Sequence, residues 1–454
     1  MWFLGIDIGT THVKVVGVTA DGTVLPAERR RTPVRLHGGL PFHHAEDVWR
    51  ETADLVAQYA SGTAAPHGAL GGACVASFGQ EESVAVDAAG REVHPSLAWW
   101  ETGHGGALAP GVAEWFDSPE HYAVSGMRLR PNQTPARLAH LRAHDPDAWA
   151  RTARWVDFGT YTMWRLTGRW AAASSQITHS QLFDLAGLVP DRPSMDALGV
   201  EPGLFPDVLP TGAPLGEITP GALGVRLAPG ATVHVGGHDQ VIAARAVAAA
   251  LADAEGAGEA PNVFDSIGTS EYLMVTTGIC RPGRRAYDLG VDHERSWLAD
   301  GYVLGHPVPS GKIIQLLAEL FFAGDFDALF GTLGGEARAL PSLRMTVSAM
   351  DDTDQGLLSL DGIPAGATPA DIARLCLDTI GDRVRGTVTA LCELAGTRPR
   401  SVALMGSLFR RPEMVAHRRS RWDTPLRVSE LAEPVATGAA RIALERATDR
   451  EGAR

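Results

Sequence analysis

The chain has 454 residues, is 45% hydrophobic and 20% charged, and carries a formal net charge of −13. Single cores stop growing at roughly 250–300 residues, so this length predicts two large domains. The acidic charge argues against nucleic acid as a partner, and no apolar run approaches the roughly 20 residues that span a bilayer. The four cysteines form no C-x-x-C pair and the N-terminus lacks signal-peptide features, so we expect a cytoplasmic protein.

Residue periodicity predicts alternating strands and helices in the N-terminal half. The predicted elements are a strand at 2–8, a turn at 9–12, a strand at 13–18, a hairpin turn at 21–22 into a strand at 23–25, a helix at 45–60, a strand at 69–76, a helical region at 134–168, mostly loop and short strand at 202–229, a strand at 232–235, a turn at 236–240 and a helix at 241–252.

The alternation continues in the C-terminal half after an exposed loop at 252–261. The predicted elements are strands at 263–267, 271–276 and 302–304, helices at 311–322 and 369–394, a strand at 402–404, a helix at 413–421, a strand at 426–428 and a helix at 436–447, with a frayed tail from Thr448. This order predicts α/β sheets covered by helices. The hairpin at 2–25 has a rough counterpart at 262–278, which suggests two similar halves facing one cleft.

The first motif with chemical meaning is Gly5–Lys14, of sequence G-I-D-I-G-T-T-H-V-K. A glycine turn between two strands exposes backbone N–H groups to phosphate, and Lys14 adds a positive charge. Asp7, at the end of the first strand, can hold Mg²⁺ through water. An ordinary hairpin with a polar turn is an equally good interpretation of this segment taken alone.

Two further motifs point to phosphoryl transfer. Asp265–Glu271 is a second strand, Gly-Thr turn and strand, and the pair of hairpins resembles the paired phosphate loops of the sugar-kinase, heat-shock and actin superfamily. Gly236–Gln240, of sequence G-G-H-D-Q, lies between a strand and a helix. Phosphoryl transfer needs positioning, charge neutralisation and a proton acceptor, which Asp239 can provide. From local sequence alone, helix N-capping by Asp239 is the favoured alternative.

The fourth motif combines Gly79–Ser83 with Trp99–Glu101. Its carboxylates and amide can bind vicinal hydroxyl groups, and tryptophan faces pack on the C–H surfaces of sugars or polyols. Trp99 is predicted to lie in the core. For Trp100, a position in the core and a position facing the substrate are equally good interpretations. None of the sixteen histidines has the spacing of a metal motif, so we expect no metal role for any of them. For His238, a structural role is favoured over the alternative that it tunes its neighbour Asp239.

In their order and spacing these motifs resemble the FGGY carbohydrate kinase family, from Gly5 to about Ala447. The resemblance implies an α/β protein of two actin-like (ribonuclease H-like) domains, each a mixed sheet flanked by helices, with a cleft between them. Residues 1–245 would bind a small polyol or sugar and carry the catalytic aspartate, and residues 246–454 would bind the nucleotide. It also implies ATP and Mg²⁺ as cofactors and leaves a homodimer open.

The resemblance assigns each role to particular residues of this sequence. It assigns proton abstraction to Asp239 and the metal to Asp7. It assigns substrate binding to Gln80, Glu82, Trp100, Asp239, Gln240 and Tyr272. It assigns ATP binding to Thr10, Thr11, Lys14, Gly268, Thr269, Gly311, Gln315 and Gly406.

Some positions depart from the family pattern. Met405 replaces the first glycine of the adenosine-binding pair, Arg410 replaces an asparagine, and Glu81 replaces the arginine of the glycerol-kinase motif Gln-Arg-Glu-Thr. Glu81 argues against an anionic substrate, so a neutral polyol or ketose is favoured over a ketopentose or sugar acid. A non-catalytic sugar sensor and, last, a chaperone-like ATPase remain as alternatives. The basic segments at 410–411 and 417–421 are expected to form solvated faces.

Overall fold

The computed structural model describes residues 1–101, 107–254, 259–268, 270–298, 300–335, 338–347 and 358–452. These residues form two compact units. The first contains 1–247, 282–302 and 431–454, and the second contains 248–281 and 303–430. The functional boundary predicted at 245/246 stays a prediction. None of the described helices combines the length and apolar character needed to cross a bilayer.

The elements up to residue 254 are, in chain order, β1 (Trp2–Ile8), β2 (His12–Thr19), β3 (Glu28–Arg31), β4 (Arg35–His37), β5 (Leu40–His43), α1 (Ala45–Ser61), β6 (Leu70–Ser77), β7 (Val84–Val86), β8 (Glu92–His94), β9 (Ser96–Leu97), α2 (Pro110–Phe116), α3 (Pro119–Ser125), α4 (Thr134–His144), α5 (Pro146–Arg151), β10 (Arg154–Val156), α6 (Phe158–Thr167), β11 (Ala172–Ala173), α7 (Ser174–Ile177), α8 (Arg192–Leu198), β12 (Val208–Leu209), β13 (Pro214–Glu217), β14 (Leu227–His238) and α9 (Asp239–Ala254).

The elements from residue 259 are β15 (Val263–Ile267), β16 (Glu271–Thr277), α10 (Arg284–Asp288), β17 (Asp292–Arg295), β18 (Tyr302–Val308), α11 (Ser310–Phe322), α12 (Phe326–Gly331), β19 (Arg344–Val347), β20 (Leu358–Asp361), α13 (Pro369–Leu394), β21 (Val402–Met405), α14 (Pro412–Arg419), β22 (Leu426–Val428) and α15 (Pro434–Gly452). Short 3₁₀ turns lie at Ala65–His67, Thr178–Ser180, Pro202–Leu204, Thr332–Gly334 and Ser407–Arg410.

The main sheet of the first unit has the order β13-β14-β6-β1-β2-β3. Strand β6 is parallel to both β1 and β14, while β1–β2 and β2–β3 are antiparallel hairpin pairs. Every residue of β1 is buried, which explains its nearly continuous apolar sequence. The sheet is therefore mixed, as predicted.

Helices cover both faces of this sheet. On one face, Val48, Leu55 and Tyr59 of α1 join the apolar residues of β1 and β6 in one core. On the other face, α15 packs so closely on β1 that a Cβ atom added at Gly5 would lie 1.8 Å from the carbonyl oxygen of Ala436. The first glycine of the Gly5–Lys14 motif thus makes room for a helix.

In the second unit, strands lie side by side in the order β18-β16-β15-β21-β22. Strands β15 and β16 form an antiparallel hairpin, and β15 is parallel to β21. The 26-residue helix α13 starts with a capping box between Thr368 and Asp371 and has Pro369 in its first turn. This unit is also a mixed sheet with helices, so the α/β class predicted from the sequence is confirmed.

Three predicted elements outside the candidate site differ from the structure. The strand predicted at 23–25 is reduced to one bridge between Val18 and Val24, and the third strand is β3 at Glu28–Arg31. The helical region predicted at 134–168 is split into α4, α5, β10 and α6, because Asp145 and Asp157 each cap a new helix. The tail from Thr448 is helical to Gly452.

Candidate active site

Three of the predicted motifs follow neighbouring parallel strands at the same edge of the first unit's sheet. Ile8 of β1 and His238 of β14 both pair with Ser77 of β6. The Gly9 turn follows β1, the Gly79–Ser83 segment follows β6, and Asp239 follows β14. The carboxyl ends of these strands therefore bring together segments that are far apart in sequence.

Asp239 is the first residue of α9, directly after β14, with no loop between them. The turn predicted at 236–240 is wrong, because Gly236 and Gly237 belong to the strand. Both glycines are required by close contacts. A Cβ atom at Gly236 would lie 2.0 Å from the carbonyl oxygen of Val75, and one at Gly237, where φ is +147°, would lie 2.2 Å from Ser175 Oγ.

The Asp239 carboxylate is half-buried and only partly engaged by its neighbours. Its Oδ1 atom accepts a hydrogen bond of 2.6 Å from the backbone N–H of Gln240 and lies 3.4 Å from Nε2 of His238. Burial raises the pKa of Asp239 above its usual value, although the charge of His238 opposes this. A half-buried carboxylate with a raised pKa suits a proton acceptor.

The first phosphate motif places Asp7 directly opposite Lys14 on the paired strands β1 and β2. Lys14 Nζ lies 3.3 Å from Asp7 Oδ2 and 3.0 Å from Oε2 of Glu433, the residue before α15. The turn between the strands is closed by a hydrogen bond from Gly9 N–H to the His12 carbonyl. Glu433 was not predicted from the sequence, since the packing of the C-terminal helix brings it here.

Asp7 is the residue of this motif that fits a metal ion. Its side chain is 4% exposed, and its Oδ1 atom is buried without a hydrogen-bond partner within the described part of the chain. Burial raises the pKa of Asp7 to about 7. The positive charge of Lys14 lowers this pKa, and the negative charge of Asp239 raises it further. A divalent cation held through water would satisfy this oxygen and favour the ionised carboxylate.

The other residues of the motif line the turn itself. Thr10 is half-buried and Thr11 is exposed, so both hydroxyl groups are accessible to a ligand. The turn is braced from behind by Thr32, which donates from its backbone N–H to the carbonyl of Thr11 and from its hydroxyl to the carbonyl of Gly9.

The predicted substrate residues of the fourth motif are buried to different degrees. Gln80 is 1% exposed, and Glu82 is fully buried. The Glu82 carboxylate accepts a hydrogen bond from the Trp99 backbone N–H at 2.9 Å and lies 2.6 Å from Nδ1 of His43. Both carboxylate oxygens are thus engaged, and Glu82 fixes the segment that carries Trp100.

Trp100 is 44% exposed, whereas Trp99 is half-buried. The Trp100 ring meets His43 edge-on at 5.9 Å between centroids. Arg137, which was not predicted from the sequence, is buried nearby and donates to the carbonyl groups of Leu97 and Asn132. Burial lowers the pKa of Arg137 to about 10, although the carboxylates of Glu82 and Glu81 favour its charged form.

A buried cluster of two histidines and two glutamates lies against Asp239. His179 Nδ1 is 3.1 Å from Glu81 Oε1, and His179 Nε2 is 3.0 Å from Glu294 Oε2. His238 Nδ1 is 2.8 Å from the same Glu294 oxygen. We call Glu81, His179, Glu294 and His238 the histidine–glutamate cluster. Glu294 and His179 are distant in sequence from the motifs, so no local pattern pointed to them.

The members of this cluster influence each other's protonation strongly. Burial lowers the pKa of His179, but Glu81 and Glu294 outweigh it and raise that pKa well above its usual value. Burial raises the pKa values of Glu81 and Glu294, but the neighbouring histidines outweigh it and lower both to about 2. Both glutamates are therefore ionised at neutral pH.

The predicted residues of the second unit lie on three of its segments. Gly268 is exposed after β15, and Thr269 lies outside the described residues. Tyr272 is half-buried on β16, and Gly305 makes room for it, because a Cβ atom there would lie 2.0 Å from the Tyr272 hydroxyl oxygen. Gly406 follows β21 with φ at +102°, and a Cβ atom there would lie 2.1 Å from the Ile267 carbonyl oxygen.

Helix α11 carries the remaining two predicted nucleotide residues. Gly311 is buried, whereas Gln315 is exposed and donates a hydrogen bond to Glu319. The expectation that 417–421 forms a solvated face is wrong at His417, which is 6% exposed, and at Arg418, which is 1% exposed. Its guanidinium forms ion pairs with Glu271 and with Asp265 Oδ2, the latter at 3.4 Å.

Comparison with known proteins gives a family match to the N-terminal half of the chain and relatives that align over nearly all of it. Residues 2–245 match the sequence model of the N-terminal domain of the FGGY family of carbohydrate kinases. A glycerol kinase from Thermus brockianus is 25% identical over 458 residues, which cover 97% of this chain and 88% of that protein. An L-fuculokinase from Salmonella typhi is 22% identical over 96% of this chain and 90% of its own length.

The solved structure of a xylulose kinase from Rhodospirillum rubrum matches with a TM-score of 0.82 at 19% identity, over 99% of this chain and 92% of that one. This likeness shows a shared two-domain actin-like fold.

Proposed function

Because the chain belongs to the FGGY family of carbohydrate kinases, we propose that it transfers the γ-phosphoryl group of ATP to a hydroxyl group of a small neutral polyol or ketose. The observation that carries this proposal is that Ile8 of β1 and His238 of β14 pair with the same residue of β6, Ser77. This register brings a glycine turn, a polar segment and a carboxylate together at the carboxyl ends of parallel strands. Ligands of α/β sheets bind outside these ends.

In the proposed reaction, Asp239 accepts the proton of the attacking hydroxyl group. The substrate oxygen forms a bond to the γ-phosphorus atom while the bond from this atom to the β–γ bridging oxygen breaks, and ADP leaves. Burial raises the proton affinity of Asp239, which supports this role. Gln240, the next residue of α9, would hold the substrate beside it.

The ATP phosphates would bind the turn at Gly9–Thr11, with Lys14 neutralising their charge. A magnesium ion at Asp7, when bound, would neutralise phosphate charge during transfer. We propose that residues 1–245 act as the substrate and catalytic domain, and residues 246–454 as the nucleotide domain. The nucleotide residues proposed in the second domain are Gly268, Thr269, Gly311, Gln315 and Gly406, and Tyr272 is proposed to contact the substrate.

A neutral substrate fits the charges that surround Asp239. Among the described residues, the carboxylates of Asp239, Glu81 and Glu294 contact the imidazoles of His179 and His238, and these five side chains together carry a net negative charge even with both rings protonated. It would repel the carboxylate of a sugar acid. The exposed face of Trp100 would pack on the C–H groups of the substrate, and Glu82 would hold Trp100 in place. We also propose a cytoplasmic location.

The test is an ADP-release assay coupled to NADH oxidation, run with glycerol, erythritol, erythrulose, xylulose, ribulose and gluconate. We expect substrate-dependent ADP release to be highest with one of the neutral compounds. Gluconate as the best substrate would refute the neutral class but leave the kinase activity standing. ADP release that no member of a wider sugar and polyol panel stimulates would refute the proposed transfer reaction and favour a sugar sensor, an alternative that the comparisons do not support.

A further inference from the structure

Three buried side chains beside the proposed base offer the donor atoms of a metal site. One nitrogen each of His179 and His238 and one carboxylate oxygen of Glu294 all lie within 4.8 Å of one another. The three residues are at most 8% exposed. They come from a 3₁₀ turn, the end of β14 and β17, so the fold, and not a local motif, assembles them.

The outer ring nitrogen of each histidine faces a carboxylate. His179 Nδ1 lies 3.1 Å from Glu81, and His238 Nε2 lies 3.4 Å from Asp239. Histidines that bind metals almost always donate their other ring N–H to a carboxylate or carbonyl group, which fixes the ring and its tautomer. Both rings are therefore oriented with their inner nitrogens toward Glu294.

Glu294 supplies an independent indication of a ligand. Its Oε2 atom faces both histidines, while its Oε1 atom is buried without a hydrogen-bond partner within the described part of the chain. Hydrogen bonds inside the cluster leave this oxygen unsatisfied, which is costly for a buried carboxylate. A cation bound by the carboxylate would satisfy it.

We propose that His179, His238 and Glu294 bind one divalent transition-metal ion of the zinc class. Two imidazole nitrogens and one carboxylate oxygen are a ligand set that zinc uses in sites with an open fourth position. Magnesium and calcium prefer oxygen ligands, so the site is distinct in chemistry from the magnesium site at Asp7. The ion also offsets the negative charge of Glu81, Glu294 and Asp239.

The ion would act on Asp239 through His238. A metal-bound His238 is neutral, keeps its proton on Nε2 and presents it to Asp239 Oδ1. This holds the carboxylate in one orientation. This positioning effect rests on the proposed kinase function, whereas the metal site itself does not.

The experiment measures metal content in the full chain without an affinity tag. The protein is stripped with a chelator, loaded with Zn²⁺, dialysed against zinc-free buffer and analysed by plasma mass spectrometry. We expect one Zn²⁺ per chain in the wild type and less than a tenth of that in Glu294→Gln and His179→Ala. Co²⁺ loading should give a visible absorption band in the wild type that these two variants lack.

The control addresses adventitious binding at histidines outside the cluster. Half-buried His140 and exposed His144 stack one turn apart on α4, so His140→Ala removes a competing pair of imidazoles. This variant should keep one Zn²⁺ per chain. If Glu294→Gln fails to fold, Glu81→Gln replaces it, and its Zn²⁺ affinity by calorimetry should fall 10–100-fold.

The proposal is overturned if the wild type retains no more Zn²⁺ than Glu294→Gln, or if Glu81→Gln binds it with unchanged affinity. The cluster would then be a metal-free chain of hydrogen bonds with protonated histidines. Because these measurements use neither ATP nor sugar, they are independent of the outcome of the kinase assay.

Discussion

Replacing Asp239 by asparagine removes the proposed proton acceptor and keeps the shape of the side chain. The asparagine Oδ1 can still accept the hydrogen bond from the Gln240 N–H and can still face His238 Nε2. Because burial disfavours the charged carboxylate, the neutral amide should fold at least as well as the wild type. The variant therefore separates catalysis from stability.

The expected loss follows from the role of a general base. Proton transfer by a positioned side chain contributes about 10²–10⁴-fold to the rate, which corresponds to roughly 2.7–5.5 kcal/mol of activation free energy. We expect kcat to fall by this factor while KM for the sugar changes less than about threefold, because Gln240 and the pocket walls remain. Coupled ADP release at saturating ATP measures both constants on the best substrate of the panel.

The control is Asp54→Asn on the exposed face of α1, which makes the same chemical change away from the site. Its kcat should equal that of the wild type, and circular dichroism melts should show all three proteins folded. A folded Asp239→Asn enzyme with kcat within threefold of the wild type would refute the assignment of the base. A comparable loss in Asp54→Asn would mean that the assay does not report on the site.

Three further substitutions test the remaining parts of the site. Lys14→Ala should weaken ATP binding about tenfold or more and weaken sugar binding less. An unchanged ATP affinity by calorimetry would refute the proposed contact between Lys14 and phosphate. Glu82→Ala should lose most kcat/KM on the best neutral substrate because the Trp99 N–H loses its acceptor, and wild-type kinetics would remove Glu82 from the site. Arg418→Met leaves the buried Glu271 without its cation and should lower the free energy of unfolding by about 3–5 kcal/mol. A urea-melt loss below about 1 kcal/mol would contradict this, and adding Glu271→Gln should recover part of the loss.

A strand that is buried on both faces is predictable because its burial requires a nearly continuous apolar sequence. Strands β1, β15 and β22 and helix α13 have the predicted bounds. Strand β1 is buried over its whole length, and a capping box marks the start of α13. Strand β3 was not predicted, because its sequence Glu-Arg-Arg-Arg shows no apolar alternation. It forms at the sheet edge by pairing with β2, and this depends on tertiary context.

The candidate site shows the same division between local and long-range information. Asp7, Lys14 and Asp239 were proposed from local motifs, because a glycine turn or a strand–helix junction can be recognised in a few residues. Glu433 and Glu294 could not be proposed in this way. Glu433 reaches the site because α15 packs on β1, and Glu294 because β17 packs on α7 and the turn at Thr178–Ser180. A single glutamate in a sequence carries no sign of such packing.

The two hairpins that look alike in sequence are chemically different in the structure. Aligned on the glycine of the turn, Ser266 of β15 takes the position of Asp7 in β1, and the pairing partners are Tyr272 and Lys14. The first hairpin thus pairs an acid with a base, and the second pairs two hydroxyl groups.

The acidic residues of the second hairpin do not replace the missing carboxylate. Asp265 and Glu271 are fully buried and paired with Arg418. Burial and the charge of Glu271 raise the pKa of Asp265 well above its usual value, which favours its protonated form. Asp265 is therefore not available as an ionised ligand at the turn, and Glu271 is held in its ion pair with Arg418. If both hairpins bind phosphate, we expect magnesium binding to depend on the first hairpin alone. The charged side chains that act in the proposed transfer, Asp7 and Lys14, then lie at the sheet edge that also carries Asp239.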